Sequence, residues 1–432
     1  MDVLRLETSR LFDRFGFGPR PGEYAQALKD GVTTVRARLT TIPDIANTVS
    51  PVIEPEILDL GRRPEANSPE VVPYAIALRS QAQAMGLWWL DLMALSDHGL
   101  TERMVWFWHG HWATSIEKLN YSLPMFKQNK TFRTHALGDF NAMTKAMLND
   151  GALQFWLDGQ DNTAKAPNEN LGRELMELFV LGVNRYTEDD VKAISRALTG
   201  YQVVRSNGVV TINQNRRDTN PVTLLGKSGV FTGDTLSDFL VARDDCATFI
   251  SERLWYRFIS SNEVMPADFS AKKAFAGRSI AAAVQAMASD SAMQDPKNAL
   301  VKSPVEWFIS ACRALELTPS LLQTPAQLNS FLNKLGQTPF SPPNVGGWPA
   351  GEAWLSSATS QYRLAFAFWL IKQSPLTALT QIPRELRVRR SADWLGVPEW
   401  SSRTQSALRS ALDDPPQFAL LALCSPEYIV SA

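Results

Sequence analysis

The sequence predicts a mainly α protein, a large helical body with a small β-hairpin insertion. Apolar residues recur at helical spacing along most of the 432 residues. Helix-capping and helix-stopping residues punctuate that pattern repeatedly. A single Asn-Gly pair, Asn207-Gly208, stands between β-branched runs and gives the one clear hairpin signal.

The elements follow in chain order. Residues 3–14 read as a first helix, stopped by Gly16 and Gly18. Pro21 suits the first position of a second helix that runs to about Lys29 and is closed by Gly31. Between 45 and 73, prolines and acids replace periodic apolar positions, which predicts an irregular connection, able to act as a flexible flap. Residues 74–96 are apolar on nearly all sides, the mark of a buried helix. Four more helices are expected between Leu100 and Leu181. At Thr187-Glu188-Asp189-Asp190 a capping hydroxyl and first-turn acids open another, closed by Gly200. Within 201–212, β-branched runs flank Asn-Gly on both sides, and the β insertion is placed at about 200–232. Helices resume at 236–240 and 246–259, where Phe249, Leu254, Trp255 and Phe258 form an aromatic face, and helix and loop alternate to the end. The Pro-rich run 340–349 is the most loop-like interruption. These signals divide the chain into 1–199, 200–232 and 233–432, with the last part packed against the first as one body.

Composition narrows the classes of function. Forty-three Lys and Arg against forty-four Asp and Glu leave a net charge of -1, so no global field gathers phosphate backbones, and no nucleic acid is expected as partner. Three cysteines, Cys246, Cys312 and Cys424, are odd in number and far apart, which fits buried free thiols rather than a disulfide framework. No apolar run reaches the ~18 residues of a membrane span, and the first residues lack the order of a secretory signal. As written, the chain reads as cytoplasmic; it is periplasmic or exported if a signal sequence has been removed. The thirteen Trp mostly serve a core, although exposed indoles can stack on sugars or partners. There is no nucleophile elbow around Ser115, Ser356 or Ser357, no Walker loop and no dinucleotide-binding glycine pattern.

Two of the four histidines fall in Trp106-Phe107-Trp108-His109-Gly110-His111-Trp112. In a regular helix, residues two apart point about 200° from one another, so His109 and His111 reach one ion only if the turn is distorted, which Gly110 makes cheaper. A His-x-His pair with a carboxylate from elsewhere would suit a divalent transition metal such as Zn, or acid–base work. The alternative is that His111 stacks with Met104 and Trp108 in the core while His109 satisfies a backbone carbonyl.

The densest polar stretch is Asn168-Glu169-Asn170-Leu171-Gly172-Arg173-Glu174-Leu175-Met176-Glu177-Leu178-Phe179. Helical spacing puts Glu169, Arg173 and Glu177 on one face, Asn170 and Glu174 on a neighbouring row, and Leu171, Leu175 and Leu178 on a buried stripe. Such a face is either a solvated salt-bridge ladder or a wall of a cleft. In the second case Glu174 acts as base or ligand, Arg173 clamps an anion, and Glu169 and Asn170 bind substrate. Asp218, after Arg216 and Arg217 on a loop, and Trp348, with Trp354 beyond Gly346-Gly347, are further binding candidates, weighed against a surface ion pair and core plugging.

Several of these stretches resemble the bacterial domain-of-unknown-function family 1800. They are Leu11-Phe12-Asp13-Arg14-Phe15-Gly16-Phe17-Gly18-Pro19, the run from Leu100 to Ser115, Asn168 to Gly182, Tyr186 to Val191, Ala197-Leu198-Thr199-Gly200-Tyr201, Pro342 to Pro349, and Ser425-Pro426-Glu427-Tyr428. The resemblance spans nearly the whole chain. It implies no established reaction. It does imply frequent export, and a sulfatase-like protein encoded nearby as a partner. The chain departs from the family pattern at Arg217 and Val222, where the pattern has His and Lys, which argues against a catalytic role for that loop. Two functions remain: an enzyme of hydrolysis or transfer on a polar, glycan-like substrate, with His109, His111, Glu169, Arg173, Glu174 and Asp218 in one hollow, or a non-catalytic accessory protein that binds a partner or carbohydrate.

Overall fold

The structure, a computed structural model, describes residues 2–44 and 49–431. It is mainly helical, with three two-stranded antiparallel sheets among the described residues. The first helix, Val3–Arg14, takes Asp2 as its cap, and Asp2 accepts the Leu4 N–H at 2.9 Å. The second starts later than expected, at Glu23, because Pro21 lies in a turn and Gly22 enters the helix at φ 85°. Within the predicted irregular connection, residues 45–48 lie outside the described residues, and the remainder stays non-helical until Val71.

The helix Val71–Leu95 is buried only in its second half, from Met85 on; its first half is half-exposed, with Val72 and Ile76 open to solvent. Gly99–His111 is buried on every side, which makes it the axle of the fold. Trp89 packs on Trp106 at 5.4 Å, Trp106 stacks on Trp348 at 5.0 Å, and Trp108 stacks on Phe140 at 5.6 Å. Each such ring contributes roughly 1.5–3 kcal/mol by leaving water. Of the thirteen Trp, all but Trp156 and Trp369 are buried, as a core role requires. The cysteines are free, Cys246 and Cys312 buried and Cys424 partly so.

More helical pieces fill 100–181 than the four expected: Gly99–His111, Ile116–Leu119, Ser122–His135, Phe140–Leu148, Gly151–Trp156 and Asn170–Glu174, the last running on as a π-helix, Leu175–Val180. The Thr187 signal is realised as a capping box with Asp190 on the helix Glu188–Ala197. The hairpin pairs β1 (Tyr201–Val204) with β2 (Val209–Ile212), Val204 opposite Val209, so the loop spans the four residues 205–208 rather than Asn207-Gly208 alone. A second hairpin, β3 (Val222–Leu224) with β4 (Lys227–Gly229), completes the insertion. It turns on Leu225 at φ 49° and Gly226, and Asp190 steadies it by accepting the Leu225 N–H at 2.6 Å. Near the chain's end β6 (Val430–Ser431) pairs with β5 (Leu300–Val301). This brings the last residues beside Arg14, whose guanidinium donates to the Ser431 carbonyl.

Candidate functional site

The two histidines do not form a pair. The helix that carries them is regular through His111, so they point into different boxes. His109 packs among Trp89, Phe340 and Trp348, with ring centroids 5.2, 5.5 and 5.3 Å away, and its Nε2 accepts the Phe340 N–H at 3.1 Å. His111 packs among Phe107, Trp108 and Trp112, and its Nε2 lies 2.9 Å from the Phe179 carbonyl, to which it must donate. The two imidazoles are therefore neutral and of opposite tautomer. Burial depresses both to about 3. The expectation that they share a Zn or similar ion is thus corrected by geometry. Among the described residues, no group of three or more His, Cys, Asp or Glu is disposed to hold a metal.

The polar segment meets His111, but through its backbone. A π-helix bonds i to i+5, so the Leu181 N–H reaches the Met176 carbonyl at 2.9 Å and carbonyls near its end are left for other donors. His111 supplies one of them, at Phe179. The Phe179 ring also packs on His111, at 6.1 Å, but the polar side chains face elsewhere. Arg173 bridges Glu169 at 3.1 Å and Glu188 at 2.7 Å, carboxylates that are 44% and 68% exposed, so this face is a solvated ladder. Asn170 donates to Asp158 at 3.3 Å, and Asn168 accepts the Asn170 N–H as a helix start does. The π-turn also rephases the segment. Glu177 leaves the Glu169-Arg173 row and accepts the Tyr186 hydroxyl, while Met176 and Phe179 join the buried side and Leu178 is only partly buried. Glu174 is half-buried, and burial, then the neighbouring Glu177, raises its pKa against the opposing pull of Arg173. The hollow expected to unite imidazoles, acids and Arg173 is accordingly not assembled: the histidines sit in dry aromatic boxes, the ladder in solvent.

Asp218 is likewise occupied. It pairs with Arg196 at 2.7 Å, which lowers its pKa, and its N–H donates to the Thr199 hydroxyl at 2.7 Å, tying the insertion to the helix Glu188–Ala197. Arg217 turns away and donates to the Phe231 carbonyl at 3.1 Å. Trp348 is 4% exposed with one face on Trp106, so no ring face is open for stacking; Trp354 is buried to the same degree. The loop's glycines do permit close approach, since a Cβ on Gly347, at φ 79°, would sit 2.1 Å from the Gly110 carbonyl oxygen.

What surrounds Trp348 is the feature that single-residue reasoning missed. Two adjoining cavities, about 40 and 30 Å³, share Arg103, Arg257, Ser303 and Glu306 as lining. Arg14, Lys302, Asp13 and Trp354 line the first and Trp348 the second. Arg103 pairs with Glu306, and Lys302 with Asp13 at 3.1 Å. That leaves two guanidiniums with no carboxylate bonded to them: Arg14 donates to the carbonyls of Phe258, Ile259, Asn298 and Ser431 and to Met293 Sδ, and Arg257 to those of Trp348 and Pro349 while lying 5.4 Å over the Tyr256 ring. Burial and neighbouring cations lower both, Arg14 through Arg10 and Arg103, and Arg257, to about 10, through Arg253 and Arg103. Four buried polar atoms of this lining have no hydrogen-bond partner among the described residues: Trp348 Nε1, Trp354 Nε1, Arg14 Nε and Ser431 Oγ. The first three can only donate. The sequence carried one usable signal, arginines set among aromatic neighbours at Arg14 and Arg103, where a buried charge demands partners.

A helical body with small hairpins, and a donor-rich cationic cleft where the first helix, the Gly99–His111 helix and the Pro342-to-Pro349 loop converge, defines the structural class. The chain belongs to the family described as protein of unknown function (DUF1800), which matches residues 10–430. No curated protein and no solved structure matches the chain. No helix among the described residues is long and apolar enough to cross a membrane.

Proposed function

We propose that the chain is a binding protein for a molecule bearing a small oxyanion, a sulfate, phosphate or carboxylate group, which seats in the cleft between Arg103, Arg257, Lys302 and Trp348. One observation carries this reading: four cations and two carboxylates line the cleft, and its unpartnered nitrogens are donors. An oxyanion answers both, because it accepts from several N–H groups and relieves the mutual repulsion of the arginines. A unit charge about 4 Å from one guanidinium gains on the order of 4 kcal/mol at an effective dielectric of about 20, before desolvation. Millimolar binding needs about that much. The sulfatase-like partner implied by the family resemblance would handle the same kind of group.

Calorimetric titration with sulfate, phosphate and acetate, at constant ionic strength set by chloride, tests it. The wild type is expected to bind at least one of the three at millimolar or lower concentration. Arg257→Met should weaken binding about tenfold or more, and the exposed control Arg390→Met should not. Absence of heat above the chloride background, or an Arg257→Met protein that binds as the wild type does, refutes the reading.

A second reading rests on Glu174. A carboxyl whose pKa is raised by burial beside a second carboxylate, itself held by Tyr186, is suited to acid–base work. Under it the chain is an enzyme of hydrolysis or transfer on a polar, glycan-like substrate, with Glu169, Asn170 and Arg173 as binding groups. Turnover across a panel of glycosides and esters that Glu174→Gln abolishes without lowering the melting temperature would support it. No turnover by the wild type, or equal turnover by the variant, overturns it.

A further inference from the structure

We propose a second binding site, for an amphipathic carboxylate with an apolar body, in the pocket enclosed by the helices Val71–Leu95, Gly99–His111 and Ser122–His135 and the connection at 50–54. The pocket measures about 530 Å³, within the range of about 300–1,000 Å³ typical of small-molecule sites, and shares no lining residue with the cationic cleft. Its floor is Trp88 and Leu92, each 6% exposed, and Pro51 and Val52 form the facing wall. This sets the apolar body of the ligand.

The polar groups set its head. Every carboxylate of the lining is already paired. Glu102, 4% exposed, takes Arg133 Nε and Nη2 at 2.6 and 2.8 Å and Trp89 Nε1 at 3.0 Å. Glu54 takes Lys130 at 2.8 Å, and Asp97 takes Arg20 at 2.5 Å. What remains idle can donate. Arg133 Nη1 has no partner among the described residues, and neither has the hydroxyl of Thr101, a residue 7% exposed. The Arg133 guanidinium is fixed in place, clamped by Glu102 and lying 4.9 Å over the Trp88 ring. It can therefore offer Nη1 with little further loss of rotamer freedom. A carboxylate finds the idle, clamped Arg133 Nη1 beside an apolar floor, with the unpartnered Thr101 hydroxyl in the same lining.

The test is calorimetric titration with 2-naphthoate and with its neutral counterpart 2-naphthalenemethanol. The wild type is expected to bind naphthoate at submillimolar concentration, about fivefold tighter than the alcohol. Val52→Trp, a half-buried position on the irregular connection, should fill the pocket and weaken naphthoate about tenfold or more. Arg257→Met, which removes any weaker carboxylate binding in the other cleft, should leave the submillimolar naphthoate binding unchanged. Should Val52→Trp lower the melting temperature, Thr101→Val decides, since loss of the hydroxyl must weaken naphthoate more than the alcohol. No naphthoate binding at millimolar concentration, an unaffected Val52→Trp, a Thr101→Val effect equal for both ligands, or loss of binding in Arg257→Met overturns the site while leaving the oxyanion reading to its own test.

Discussion

The dry boxes around His109 and His111 make stability fall with acid, and the size of the fall follows from the structure. Each imidazole titrates near 6.5 in the unfolded chain and stays neutral in the fold down to about 3. A folded pKa below the unfolded one contributes stability that is present above pH 6.5 and lost as pH falls toward 3. Between pH 6.5 and 4 the loss is on the order of 3 kcal/mol for each ring at about 1.4 kcal/mol per unit, hence on the order of 6 kcal/mol for both. Asp150 opposes it. This carboxyl is buried between Gln128 and the Leu153 N–H, and burial raises it from 3.8 to about 6, so its contribution is present at low pH and lost as pH rises through 6. Over the same interval Asp150 returns about 2–3 kcal/mol, leaving a net loss of about 3–4 kcal/mol, a large share of the usual 5–15 kcal/mol of domain stability. The assay is urea denaturation at pH 7, 6, 5 and 4 for the wild type and for His111→Gln, whose amide can still donate to the Phe179 carbonyl. The variant starts less stable because it packs less well, but its stability should fall less steeply between pH 6 and 4, by about 1.4 kcal/mol per pH unit. Parallel lines would mean that His111 titrates normally in the fold, and the closed box around it would be refuted.

Three further outcomes follow from the geometry. Gly347→Ala places a Cβ 2.1 Å from the Gly110 oxygen at φ 79°, so denaturation should show a loss of more than about 1 kcal/mol; an unchanged midpoint would mean that the Trp348 loop does not seat on the Gly99–His111 helix. Arg173→Ala removes a ladder between exposed carboxylates and should leave the unfolding midpoint within error of the wild type, whereas a large drop would reveal a buried partner. Glu174→Gln should be as stable as the wild type or more so at pH 7. Because the folded pKa of Glu174 is raised, the gain should vanish as pH falls and the wild-type carboxyl takes its proton; a gain that persists in acid would place its origin elsewhere.

Elements written in neighbouring residues were legible, and those made by distant ones were not. The existence of the hairpin is announced by Asn-Gly between β-branched runs, although its loop takes four residues, 205–208, and the Thr187 cap needs only a hydroxyl and an acid three residues apart, so both could be read directly. The second hairpin hides because Leu225 at φ 49° is a poor turn residue by itself, held there in part by Asp190 from another helix. The phase of the Asn168-to-Phe179 stretch was read at a constant helical step, but the backbone widens into a π-turn where His111, 68 residues earlier, takes the Phe179 carbonyl. The same separation hid the cationic cleft. Arg14 and Arg103 show in their own segments only that they are set among aromatic residues, not that they share a site with Arg257 and Lys302; the β5–β6 pairing and the Gly347-to-Gly110 approach bring the four to one place. Sequence pattern therefore located chemistry where polar residues are dense, at the Glu169-Arg173 ladder, and density there reflects solvation. Burial concentrates cost at the cleft instead, where a few charges far apart in the chain have been withdrawn from water, and that cost makes the cleft the stronger candidate.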